Sequence, residues 1–258
     1  MVFKFKNLTV IFVTIIVTNI FFKEINTKIF EDDLIIKIII KIILAIFTLL
    51  FLSKFKLLSN IKNNKKSLFF NLLSLVLISL SYYYVNEQMK IFNLNISYSK
   101  HIQFLFSCLS VGLFEELFFR VFIFYFMINI FKKDDKRILK SMIITSLFFG
   151  LSHFSNFLNT EYYKLSVIYQ SLFAISIGIV LQSMYIKFKS LTFIITLHGL
   201  INYYGSYKSK FFDIYSNINK IDENDDFLST LFFLVIFMVI SLIFSYFLLR
   251  KEINNNVV

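Results

Sequence analysis

Residues 228–249 read LSTLFFLVIFMVISLIFSYFLL, without one charged side chain. An apolar run of roughly 18 residues or more is long enough to cross a bilayer as an α-helix. The run is apolar on every face, whereas a lipid-facing barrel strand alternates apolar and polar side chains, so a transmembrane β-barrel is excluded. Comparable runs recur at about 8–22, 34–52, 67–85, 102–131, 138–157, 165–187 and 190–204. The expected fold is therefore all-α: a polytopic membrane helix bundle with about eight transmembrane helices, forming a single membrane domain over residues 1–258.

The composition agrees. The chain is 57% hydrophobic with a mean hydropathy of +0.72, more apolar surface than a soluble domain of 258 residues could bury. Its net charge of +11 is spread over short loops, which argues against nucleic acid as a partner and for the lipid bilayer. With the N-terminus inside, Lys4, Lys6, Lys54, Lys56, Lys62, Lys65, Lys66, Lys132, Lys133, Lys136, Arg137, Lys140, Lys187, Lys189, Arg250 and Lys251 are cytoplasmic, 16 basic residues against 8 outside. That excess predicts a multi-pass protein of the cell membrane with both termini cytoplasmic. The first run is followed by Lys23 and Glu24 and not by a small-residue cleavage site, so it reads as a retained helix. Lys37 and Lys41, one turn apart in the second run, must snorkel or face the bundle. Tyr82–Tyr84, Tyr162–Tyr163 and Tyr203–Tyr204 are expected at the outer interface, and the acidic stretch 205–227 reads as a solvated connector. The single cysteine, Cys108, excludes an intramolecular disulfide and a multi-cysteine metal site. It reads as a small buried packing residue, and His101 as solvated near the interface.

The residues that lipid penalises carry the function. Glu115, Glu116 and Arg120 fall inside the run 102–131. At roughly 2.5–3.5 kcal/mol per mid-helix charge they cost about 8–10 kcal/mol, and the leucine, isoleucine, valine and phenylalanine side chains of the run return about 6–11 kcal/mol. The helix spends nearly all of its insertion energy on these charges. Glu116 and Arg120 are four apart, share a face and can pair. Glu115 points about 100° away. It is left without that cation in a low dielectric, an environment suited to a group that exchanges protons near neutral pH.

Two of the three histidines, His153 and His198, also fall inside predicted spans, and Asn202 lies one turn beyond His198 on the same face. Phe149 precedes His153 by the same spacing. Gly112, Gly150 and Gly199 lie beside these polar residues. Small residues let membrane helices approach closely, so the three helices are expected to converge where the polar groups sit.

The ordered set Glu115-Glu116-x-x-x-Arg120, Phe149-x-x-x-His153 and His198-x-x-x-Asn202 resembles the CAAX-protease and bacteriocin-processing (Abi) family of intramembrane peptidases, over roughly Gly112–Asn202. The resemblance implies a catalytic core at about 102–204, flanked by helices in 1–100 and at 228–249. It implies an endopeptidase acting on a membrane-associated peptide or protein substrate. Glu115 would activate the attacking water, with His153 assisting. His198 and Asn202 would stabilise the oxyanion, and Glu116, Arg120 and Phe149 would brace the site. No cofactor is favoured. If the enzyme were metal-dependent, Glu115, His153 and His198 would hold a divalent ion such as zinc. The composition fits a low-GC bacterium, and the setting implied by bacterial relatives is peptide or bacteriocin processing, or self-immunity.

Two other classes compete. A non-enzymatic membrane scaffold, regulating a sensor or surface-display system, would have no need of the full set of motif residues. A proton-coupled transporter would use buried Glu, Arg and His. It predicts inverted repeats and broken helices, and the sequence has neither.

Overall fold

The computed structural model describes residues 34–54, 65–91, 97–158, 164–211 and 227–255. The described residues are helical, apart from short turns, and pack as a bundle. The elements are α1 (Leu34–Lys54), α2 (Lys65–Ile91), α3 (Tyr98–Glu116), a π-helical segment (Leu117–Ile123), α4 (Phe124–Ile130), α5 (Arg137–Ser152), a 3-10 turn (His153–Leu158), α6 (Lys164–Phe188), α7 (Leu191–Phe211) and α8 (Phe227–Asn255). Helices α3 and α4 and the π segment between them form one continuous rod. The chain is a multi-pass membrane protein. Four stretches, Leu68–Gln88, Arg137–Phe157, Lys164–Phe188 and Leu228–Asn254, are long and apolar enough to cross a bilayer. The expected span at 8–22 lies outside the described residues, as do Tyr162 and Tyr163, so the count of eight spans rests on sequence alone. The helix at the expected seventh span is longer than the run 190–204: α7 continues through Phe211 into the stretch read as a connector.

Neighbours in the bundle are α1 with α3, α3 with α7, α2 with α7, α5 with α6 and α6 with α8. Two local devices set these pairings. The turn from α6 to α7 is tight because Lys189 adopts φ 54° and its N–H returns to the Tyr185 carbonyl. Ser190 then caps α7 by accepting from Phe193 N–H at 3.2 Å, while its own hydroxyl donates to Asn71 Oδ1 on α2 at 2.7 Å. One residue therefore starts α7 and pins it to α2.

Glycine sets the second device. A Cβ on Gly112 would stand 2.8 Å from the Ile195 carbonyl oxygen and 3.1 Å from Gly199 N, and one on Gly199 would stand 2.7 Å from Leu109 Cδ2. The backbones of α3 and α7 meet at these two glycines. Gly150 does not join them. Its missing Cβ is filled by Ile175 Cγ1 and the Ser171 carbonyl of α6, so it brings α5 against α6. The convergence expected of these three helices is served by two separate glycine contacts, α3 with α7 and α5 with α6.

The main core gathers Phe114, Phe119, Phe124, Phe149, Leu181 and Ile194, among others, and a smaller one gathers Val85, Phe104, Cys108, Leu200 and Tyr203. Cys108 is buried there as a packing residue. His101 departs from expectation. It is 1% exposed, stacked on Tyr82 and hydrogen-bonded to Tyr203. Tyr203, read as an interfacial residue, is fully buried as that partner, while Tyr204 and Tyr83 remain exposed. An imidazole in an apolar phase needs a polar partner, and the facing phenol supplies it.

Candidate active site

The site is assembled from three rods. Helix α3 brings Glu115 and Glu116 at its last turn, and the π segment brings Arg120. Helix α5 brings Phe149 and ends at His153, which opens the 3-10 turn. Helix α7 brings His198 and, one turn on, Asn202. The wide turn begins directly after the paired acids. Phe124 N–H reaches back to the Phe119 carbonyl, five residues earlier. Such π turns inside α-helices are frequent at functional sites.

Glu116 and Arg120 pair as their spacing requires. Arg120 Nε donates to Glu116 Oε2 at 2.8 Å and Nη2 to Oε1 at 3.3 Å, with both side chains fully buried. The pair is two-pronged, the strongest arrangement for these groups. The guanidinium also lies over the Phe149 ring, 4.8 Å from its centroid. Arg120 Nη1 has no hydrogen-bond acceptor among the described residues.

His198 joins both acids. Its Nδ1 lies 2.8 Å from Glu116 Oε1, and its Nε2 lies 3.5 Å from Glu115 Oε2. The second approach is too long for a good hydrogen bond, which leaves Glu115 Oε2 without a hydrogen-bond partner among the described residues. A neutral imidazole can donate to one of these oxygens, and an imidazolium to both. The two carboxylates differ sharply in environment: Glu116 is sealed and doubly bonded, while the Glu115 side chain is 18% exposed.

Phe149 is the spacer of the group. Its ring meets His198 edge-on at 5.5 Å and His153 at 5.3 Å, and Arg120 covers one face. It therefore packs edge-on against both imidazoles. His153 and Asn202 are half-buried at the margin. Glu116, Arg120, Phe149 and His198 are linked by direct contacts, Glu115 approaches the group through His198, His153 touches it through Phe149, and Asn202 lies one turn beyond His198 on the same helix. Lys41 is a further charge at the site. Sequence reading placed it between snorkelling and facing the bundle, and its ammonium lies over Phe114, the residue before Glu115.

Among the described residues, no three His, Cys, Asp or Glu side chains are gathered as metal ligands. The conditional zinc set Glu115, His153 and His198 is therefore not gathered as ligands among the described residues, and no step below runs through a metal.

Residues 97–204 match the family model described as Type II CAAX prenyl endopeptidase Rce1-like. No curated protein and no solved structure matches the chain.

Proposed function

We propose that this chain, whose residues 97–204 match the Rce1-like CAAX prenyl endopeptidase model, is an intramembrane peptidase whose reaction runs on a water activated by Glu115. The observation that carries this is the inequality of the two carboxylates. Glu116 is committed to Arg120 and His198, whereas Glu115 keeps an oxygen unbonded and a partly open side chain. A carboxylate with a free acceptor oxygen on a partly open side chain is the one able to take a proton from water.

His198 supports the other half of the reaction. Glu116 fixes its Nδ1, which aims Nε2 at the space beside Glu115. With His198 as the imidazolium, which carries a hydrogen on each ring nitrogen, a substrate carbonyl entering that space would replace the long contact to Glu115 and accept the Nε2 hydrogen as negative charge develops on its oxygen. Asn202, on the same face one turn away, supplies an amide donor for the same oxygen. Donors held in place before the reaction are worth several kcal/mol in the transition state. His153, set by Phe149, assists the water on the opposite side. Arg120 and Glu116 act through His198 and are positioning residues.

The substrate class is a peptide or protein segment in or at the membrane. A bacterial host would employ such an enzyme in peptide or bacteriocin processing, or in self-immunity. The test uses full-length protein in lipid vesicles with internally quenched apolar peptides. Glu115→Gln and His198→Ala should each lower turnover by about 100-fold or more. Undiminished cleavage in both variants sinks the proposal, and a host phenotype retained in both identifies a scaffold.

A further inference from the structure

Lys41 belongs to none of the three motifs and lies outside the matched segment. It interrupts an otherwise isoleucine-rich stretch of α1, where an ammonium turned toward lipid would have to reach an interface. The packing shows a different direction. Ala45 and Leu52, four and eleven residues on, are 2% and 0% exposed and mark the bundle-facing stripe of α1 that Lys41 shares. That helix packs on α3 and on the π segment. Lys41 Nζ stands 5.0 Å from the centroid of Phe114, the residue directly before Glu115. It makes no direct ion pair among the described residues.

Arg120 provides the internal parallel. The cation of each acid rests on an aromatic ring: Arg120 over Phe149 for Glu116, and Lys41 over Phe114 for Glu115. A ring face within about 6 Å holds a cation by its quadrupole without consuming the charge. Glu116 is paired with Arg120, and Glu115, whose Oε2 lies 3.5 Å from His198 Nε2, has Lys41 on the neighbouring ring.

We propose that Lys41 is a positioning residue of the site: seated on Phe114, it is the countercharge that holds the Glu115 carboxylate in place for its work on water. This rests on the reading of Glu115 as the water-activating acid, and it assigns a part to a helix that the family match does not include.

The experiment uses full-length protein in vesicles, with Lys41→Met, Lys41→Arg, Glu115→Gln and the double variant Lys41→Met/Glu115→Gln. Lys41→Met should lower kcat on the quenched peptides about tenfold or more with KM within about twofold, as loss of a preorganised charge does. Lys41→Arg keeps the charge and should recover kcat to within about threefold of wild type. Thermal melting gives a readout independent of turnover. The loss of Tm from Lys41→Met should fall by about half or more in the Glu115→Gln background, where no carboxylate remains to neutralise. Equal melting losses in the two backgrounds overturn the proposal, as does an equal drop in kcat for the Met and Arg variants. Should Lys41→Met fail to fold, Lys41→Gln is read in the same cycle. Cleavage that survives Glu115→Gln counts against the reading of Glu115, and the melting cycle still decides the pairing.

Discussion

Helix α8 and the α3–α7 seam are opposite solutions to the same solvent. The apolar window of α8 is 11% buried, and it presents Leu228, Phe232, Phe233 and Phe247 outward. The seam buries Glu116, Arg120 and His198 at 0%, 0% and 4% exposure. A water-soluble domain would reverse the two. Lipid is as apolar as leucine, so an apolar helix gains little by leaving it and a charged group gains everything. Hydropathy in this molecule therefore marks the boundary with lipid, and polarity marks the interior.

The sharpest test of that contrast sets one ion pair against another. Arg120→Met would leave Glu116 buried beside His198 with no guanidinium. It should cost about 3–5 kcal/mol of stability, measured as a large fall in melting temperature in detergent. Lys187→Met breaks a pair of similar geometry at the edge of the bundle, where Lys187 Nζ meets Glu252 Oε1 of α8 at 3.0 Å with both side chains a quarter to a third exposed. That loss should stay within about 1 kcal/mol. Comparable losses would mean that the seam is not the dry interior described above.

Glycine offers a second, smaller contrast within α7 and its partner. Gly112→Ala places a methyl 2.8 Å from the Ile195 carbonyl, against backbone that cannot move alone. It should cost about 1–3 kcal/mol and lower turnover further by separating Glu115 from His198. Gly205 has nothing within 4 Å of its missing Cβ. Gly205→Ala should therefore be neutral or stabilise α7 by up to about 1 kcal/mol. Melting curves of the two variants beside wild type decide whether close approach, and not helix propensity, is what the α3–α7 contact needs.

How much of this was legible beforehand follows the same line. The apolar runs and the Glu116–Arg120 pair are local properties, visible as unbroken hydrophobicity and as a spacing of four. The bridging of both acids by His198 is not local. It depends on the close approach of α3 and α7 at Gly112, where an added Cβ would stand 2.8 Å from the Ile195 carbonyl oxygen, and which sequence could suggest but not orient. The same ambiguity misplaced Gly150, since a small residue shows that a helix is approached and not by which neighbour. The π turn over Leu117–Ile123 leaves no mark at all: LFFRVFI holds no glycine or proline to signal it. His101 failed for a related reason. Its partner Tyr203 lies on another helix, so a position near the interface outweighed a contact that only the fold creates.

Helix α8 is tethered by few polar bonds, and one of them tests how loosely. Ser245 donates toward Ser183 Oγ at 3.1 Å and the Ile179 carbonyl at 3.4 Å on α6. Interhelical hydrogen bonds in membrane proteins average about 0.6 kcal/mol. Ser245→Ala should thus shift the melting temperature only slightly and leave turnover unchanged. A large loss would show that α8 is part of the stability core and not a lipid-facing flank.

The smallest effect belongs to the turn between α4 and α5, where water is the solvent again. Asp134 accepts from Lys140 and from the Lys136 backbone N–H, and these bonds hold its carboxyl below the ordinary carboxylate value. The unfolded chain titrates this group near pH 4, roughly. Because the folded value is depressed, the contribution to stability is fully present above that pH and is lost as pH falls through the folded value. Asp134→Asn should remove only this acid-dependent part. The variant and wild type should then differ slightly at neutral pH and converge as pH falls below the folded value. Melting temperatures taken across that range check it, and a difference that grows toward acid would show that the Asp134–Lys140 pair is not what orders the turn. The contrast with Glu116 is one of surroundings: the same carboxylate–cation chemistry is minor where water competes for it and decisive where lipid and protein exclude water.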